Sequence, residues 1–130
     1  TEDNLASTLD FLRSFARRTG AVVAVTGKLD LVTDGARCAV IRNGRPEMGK
    51  VTGTGCQLSA LTAAFLAANR EYPLEAAVAA VCAMGLAGEM GWAQMKPGEG
   101  NMAYRDHIID SIYHLTGQEL EKGAKVALES

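Results

Sequence analysis

Val51-Thr-Gly-Thr-Gly-Cys56 runs without a break into Gln57-Leu-Ser-Ala-Leu-Thr-Ala-Ala-Phe-Leu-Ala-Ala-Asn69, a stretch that is apolar nearly all round. The two glycines let the backbone turn sharply with no Cβ to clash, so successive amide N–H groups are able to face one point. A helix starting there leaves its first N–H groups without intrahelical partners and carries a partial positive charge. Turn and helix start together make a cradle for an anion, most often a phosphate. Cys56, read as the first helical residue, stands beside that anion, and a helix start favours the thiolate form of a cysteine. The plainer alternative is a loop-to-helix turn in which glycine is only conformational and Cys56 is a small buried filler. The P-loop pattern is not met, because no Lys-Ser or Lys-Thr pair follows the turn. The apolar character of the helix on every side predicts that it is buried.

Upstream, Ala21-Val-Val-Ala-Val25 is a continuous run of small and β-branched residues, which predicts a strand covered on both faces, as in a parallel sheet. Leu29-Asp-Leu-Val-Thr33 and Arg37-Cys-Ala-Val-Ile41, with the turns Asp34-Gly35 and Asn43-Gly44, read as short antiparallel strands joined by hairpins at its edge. Before them, Leu5, Leu9, Leu12, Phe15 and Ala16 have the spacing of an amphipathic helix over residues 4–18. Asp3 or Asn4 is positioned to cap it, Arg13, Arg17 and Arg18 suit its end, and Gly20 stops it. Downstream, Pro73 opens a helix to about Gln94, and Tyr104–Leu115 is amphipathic through Ile108, Ile109, Ile112 and Leu115. The charged tail from Gln118 reads as a loose final helix. One buried strand, antiparallel edge strands and then mostly helices make an α/β chain without repeats or linkers.

At 130 residues the chain suits one compact unit, and 48% hydrophobic against 22% charged residues is a globular composition. A net charge of −2 gives no electrostatic basis for nucleic-acid binding. The run Ala76–Gly88 is too short for a bilayer, which needs about 20 residues, and no signal segment opens the chain. Three cysteines with no CxxC spacing point to a reducing compartment, so the expectation is a cytoplasmic protein without a zinc site. Cys38 and Cys82 read as small hydrophobes of the core. His107, Asp110 and His114 share a helix face but read as solvated, with no supporting ligand motif. Arg42, Arg45 and Lys50 precede the anion loop and suit either phosphate contact or an ordinary charged turn. Trp92, with Met84, Met90 and Met95, reads as helix packing.

The stretch Val22-Val-Ala-Val-Thr-Gly-Lys-Leu-Asp-Leu-Val-Thr-Asp-Gly35, followed by Lys50-Val-Thr-Gly-Thr-Gly-Cys-Gln-Leu-Ser-Ala60, resembles the hydroxyethylthiazole kinase family of thiamine biosynthesis. The likeness extends to about Leu115 and includes the loop Gly98-Glu-Gly-Asn101, where many family members have Pro and Ser in the second and fourth places. Wider ribokinase-like kinases carry Asp after this Gly-x-Gly turn, and the thiazole kinase branch has Cys, which makes Cys56 the diagnostic residue. The resemblance implies the C-terminal portion of a ribokinase-like three-layer α/β/α domain, with the N-terminal half absent from residues 1–130. It implies transfer of the ATP γ-phosphate, with Mg²⁺, to the primary hydroxyl of 4-methyl-5-(2-hydroxyethyl)thiazole, in trimers with active sites at the interfaces. By position, Gly53, Thr54 and Gly55 would form the anion hole, Gly53 would also border the thiazole alcohol, and Thr26 would contact the nucleotide. Cys56 would receive the alcohol proton. A chain starting at a helix with Thr1 fits such a portion, expected to be inactive alone and to expose an apolar edge. The rival readings are a ribokinase-like kinase of another vitamin or pyrimidine alcohol, and a non-catalytic fragment for binding or oligomerisation.

Overall fold

The computed structural model describes residues 2–129. In chain order the elements are α1 (Glu2–Thr19), β1 (Val23–Val25), β2 (Asp30–Thr33), β3 (Cys38–Ile41), a 3-10 turn (Pro46–Lys50), α2 (Thr54–Ala68), α3 (Pro73–Ala93), α4 (Asn101–His114), α5 (Gly117–Gly123) and β4 (Val126–Glu129). The four strands form one antiparallel sheet in the order β1-β2-β3-β4.

Strand side chains alternate between faces, and the register of β2 with β3 sets Leu31 opposite Val40 and Val32 opposite Ala39. Leu31, Cys38 and Val40 therefore share one face, where they bury against Leu9 and Leu12 of α1. Val32, Ala39 and Ile41 share the other and pack on Leu74, Ala77, Val81 and Cys82 of α3. Helix, sheet and helix make the three layers that the family resemblance implies. Further along α3 lies a third apolar cluster, in which Val51, Met84 and Ala87 meet Tyr104 and Ile108 of α4.

Several expectations need correction. The Ala21–Val25 run is not the strand covered on both faces, since β1 lies at the sheet edge with Ala24 and Val25 exposed. The covered strands are β2 and β3, which read as edge hairpins, because α1 and α3 cross the middle of the sheet. Helix α2 is also not buried. Only one of its faces meets α3, and none of its residues is fully covered. Helix α1 already includes Glu2, so neither Asp3 nor Asn4 marks its start. The β2–β3 hairpin turns at Asp34-Gly35 as expected, but Asn43-Gly44 leads into the 3-10 turn rather than into another strand. The tail does form a helix, α5, opened by a Thr116–Glu119 capping box, and then adds the unforeseen strand β4.

Helix α3 is long and apolar enough to cross a bilayer by length and composition, although its central run looked too short. Within the fold, 67% of its most apolar window is buried, which is the pattern of a core helix.

Candidate active site

Helix α2 begins at Thr54, two residues earlier than the sequence indicated, so Cys56 is its third residue. Gly53 is the N-cap, with φ 96° and ψ 0°. That left-handed conformation favours glycine, and with no side chain Gly53 cannot cap the first-turn amides. Its carbonyl accepts the Gln57 N–H at 2.9 Å, closing the first helical turn. The Thr54 hydroxyl donates back to the Val51 carbonyl at 3.4 Å. A Cβ added at Gly53 or at Gly55 would meet no protein atom within 4 Å, so the space over the turn is open. Cys56 is exposed, which removes the reading of a buried filler.

The start of α2 borders a cleft of about 600 Å³. Thr26 and Gly27 from the β1–β2 turn form one side of it, and the segment from Arg42 to Gly49 forms another. Thr54 and Gly55 line it, while Leu58, Val81, Met84 and Gly85 supply apolar lining. The structure thus brings Thr26, Thr54 and Gly55 to one cavity. Gly53 and Cys56 adjoin it in the chain without lining it.

Charge in the cleft favours an anion. Lys28, Arg42 and Arg45 line it, against the single acid Asp30. Arg45 is partly neutralised by two hydrogen bonds to Glu47, at 3.0 and 2.9 Å, and its guanidinium lies 5.1 Å from the centre of the Trp92 ring. Neither Lys28 nor Arg42 forms an ion pair among the described residues. Asp30 accepts the Gly27 N–H at 3.0 Å, which ties the turn carrying Thr26. Burial pushes the Asp30 carboxyl above its ordinary value, opposed by that hydrogen bond. Lys50, weighed with the two arginines, does not line the cleft. Lys28 and Asp30 join the site only through the fold, and the signal the sequence holds for them is their place directly after a strand end in Thr26-Gly-Lys-Leu-Asp30.

Of the remaining polar candidates, His107 has a structural partner, while Asp110 and His114 are exposed. Glu99 accepts the Lys96 N–H at 3.0 Å and lies 2.9 Å from His107 Nε2, which pins the 96–100 loop to α4. The Lys96 amide and then His107 hold the Glu99 carboxyl below its usual range. No three His, Cys, Asp or Glu side chains gather as a metal site among the described residues. Cys38 and Cys82 are buried, and burial pushes the Cys82 thiol up to about 11. Trp92 packs edge-on to Tyr104 at 5.3 Å, as expected of a packing residue.

Comparison with known proteins adds to this geometry. Residues 1–118 match the hydroxyethylthiazole kinase family. The chain belongs to that family. It is 44% identical over 124 residues to a hydroxyethylthiazole kinase of Clostridium acetobutylicum, covering 95% of this chain and 45% of the relative. A hydroxyethylthiazole kinase of Zea mays is 38% identical over 120 residues, covering 92% of this chain and 42% of the relative. Among solved structures, a hydroxyethylthiazole kinase protein from Pyrococcus horikoshii OT3 superposes with a TM-score of 0.84 at 32% identity, over 99% of this chain and 49% of that one. The α/β fold of this chain is therefore one found within the family. The chain spans about half the length of the curated relatives it matches.

Proposed function

We propose that residues 1–130 are the C-terminal part of a hydroxyethylthiazole kinase domain, and that the cleft holds ATP beside the start of α2. The observation that carries this reading is the meeting of Thr26, Thr54 and Gly55 on one cation-lined cleft in a chain of this family. The transferred phosphoryl group would lie over the Gly53–Gly55 turn, where first-turn amides and helix charge stabilise an anion. Thr26, at the end of β1, would contact the nucleotide, and Gly53 would border the thiazole alcohol.

In the reaction, the primary alcohol oxygen of 4-methyl-5-(2-hydroxyethyl)thiazole bonds to the γ-phosphorus while the bond to the β–γ bridging oxygen breaks. ADP leaves, and the alcohol proton would pass to the Cys56 sulfur. The transition state of such transfers is loose, so positioning and charge stabilisation dominate over the base. That ordering suits a thiol in the role taken by Asp in ribokinase-like relatives. The lining cations and the open amides fit a polyphosphate. With no acidic cluster among the described residues, Mg²⁺ would be held by the phosphates and by groups outside this chain, and would neutralise phosphate charge.

Two exposed features support a further portion of the domain. Ala24 and Val25 are apolar at an open sheet edge, and α2 keeps an apolar face that none of the described residues covers. Opening strands and helices of the domain suit both surfaces. The assembled enzyme would be a cytoplasmic homotrimer, and this chain alone would not turn over substrate.

The test is isothermal titration of the 130-residue chain with a non-hydrolysable ATP analogue and with the thiazole alcohol. Binding of the analogue supports the reading, whereas a chain that binds neither is an assembly fragment. In the intact enzyme, Cys56→Asp should keep or raise the rate, and Cys56→Ala should lower it while ATP still binds. An inactive but folded Asp variant would remove Cys56 from the role of base.

A further inference from the structure

Asn43 follows β3 and is almost fully buried, so its amide needs partners within the fold. Its Oδ1 accepts the Lys125 N–H at 2.8 Å, and its Nδ2 donates to the Gly123 carbonyl at 2.9 Å and towards Glu89 Oε1 at 3.4 Å. That same Glu89 oxygen accepts the Gly44 N–H at 3.0 Å and the Lys125 ammonium at 2.9 Å. One carboxylate oxygen on α3 therefore gathers a backbone amide, a side-chain amide and an ammonium from the start of the cleft wall and the α5–β4 junction.

Packing reinforces the arrangement along the same helix. A Cβ at Gly85 would lie 2.6 Å from Asn43 Cβ, and one at Gly88 would collide with the Met48 side chain. Gly85, Gly88 and Glu89 thus seat the segment from Asn43 to Gly49, and this segment forms a wall of the cleft.

We propose that Glu89 is a positioning residue for the nucleotide cleft, holding the 43–49 wall through the Gly44 amide and joining the α5–β4 strap to it. The inference rests on the nucleotide reading given above for its functional consequence, and on the hydrogen bonds alone for its structural one. The Gly44 bond needs an acceptor at that point, whereas the Lys125 contact needs charge. A glutamine keeps an acceptor of nearly the same reach, an alanine keeps none, and an aspartate keeps the charge but withdraws it by one methylene. Lys125 is well exposed, so its ion pair contributes little.

The 130-residue chain is titrated with Mg²⁺ and the ATP analogue AMP-PNP, following emission of Trp92, the sole tryptophan, whose ring carries Arg45 of the cleft wall. Glu89→Ala and Glu89→Asp should weaken binding about tenfold, the scale of a lost charge-assisted hydrogen bond. They should also shift Trp92 emission without ligand. Glu89→Gln and Lys125→Met should bind within about threefold of the parent chain. Ala and Asp variants that bind and emit like the parent overturn the proposal, as does a Gln variant as weak as Ala. Hydrogen exchange at the Gly44 amide separates this inference from the nucleotide reading. If the parent chain binds no AMP-PNP, that reading fails. The positioning role then stands if Ala and Asp lose Gly44 protection while Gln keeps it, and falls if protection is unchanged.

Discussion

Gly85→Ala sets two physical effects against each other within α3. Intrinsic propensity favours the change, since Gly in a helix interior costs about 1 kcal/mol relative to Ala. The local geometry opposes it. The new Cβ would stand 2.6 Å from Asn43 Cβ, 2.9 Å from the Asn43 carbonyl carbon and 3.0 Å from the Gly44 nitrogen. Two of these neighbours are backbone, so the wall must move by roughly 1 Å to reach ordinary contact distances near 3.5–4 Å. Overpacking of this kind costs about 1–3 kcal/mol. Moving the wall also strains the Gly44–Glu89, Asn43–Gly123 and Lys125–Asn43 hydrogen bonds, each worth about 1 kcal/mol. Steric and polar losses outweigh propensity, and the expected net destabilisation is about 2–4 kcal/mol. Urea unfolding of the parent and variant chains, followed by helix circular dichroism, measures it as a shift in midpoint at unchanged slope. A Gly85→Ala chain as stable as the parent, or more so, would refute the reasoning, because propensity alone predicts that sign.

Gly55→Val should leave the unfolding free energy within about 0.5 kcal/mol of the parent, since its Cβ would meet no protein atom within 4 Å, yet abolish binding of the ATP analogue by filling the cleft. Retained binding in titration calorimetry would remove the first turn of α2 from the anion site. With a thiol-reactive chromogenic reagent, Cys56 alone should react promptly in the native chain, while Cys38 and Cys82 should wait for unfolding, because only Cys56 is exposed. The Tyr104 hydroxyl donates to the Gly88 carbonyl at 2.7 Å, and burial pushes its phenol up to about 12. The folded value lies above the ordinary phenol value of about 10, so this contribution is complete below that pH and is lost as pH rises towards 12. Tyr104→Phe should therefore cost about 1 kcal/mol near neutral pH, with the gap in urea midpoints closing through that alkaline window.

Much of the architecture was legible because it depends on local chemistry. Pro73 opens α3, Gly20 follows the end of α1, and Asp34-Gly35 makes the β2–β3 turn, each through backbone preferences carried by the residues themselves. The motif Gly53-Thr-Gly-Cys56 identified the start of α2 to within two residues, and the family followed from it and from the Thr26 stretch. Burial was less legible, because apolar composition records what a segment is able to cover and not what lies beside it. The Ala21–Val25 run and α2 both read as buried, yet β1 is an edge strand and only one face of α2 meets α3. Strand β4 was missed because its short segment follows a charged tail, and pairing with β3 is a long-range event.

The sequence by itself determined the order of helices and of the first three strands and the glycine turn at the start of α2, and its motifs carried the family resemblance, since these rest on residue types and on spacing along the chain. Only the tertiary structure decided that Thr26, Thr54 and Gly55 share a cleft with Lys28, Arg42 and Arg45. It alone decided that Glu89 joins Gly44 and Lys125 across more than thirty residues in either direction. The physical reason is that hydrogen bonds and packing act over a few ångströms of space, and separation along the chain says nothing of that distance until the sheet and α3 have closed around it.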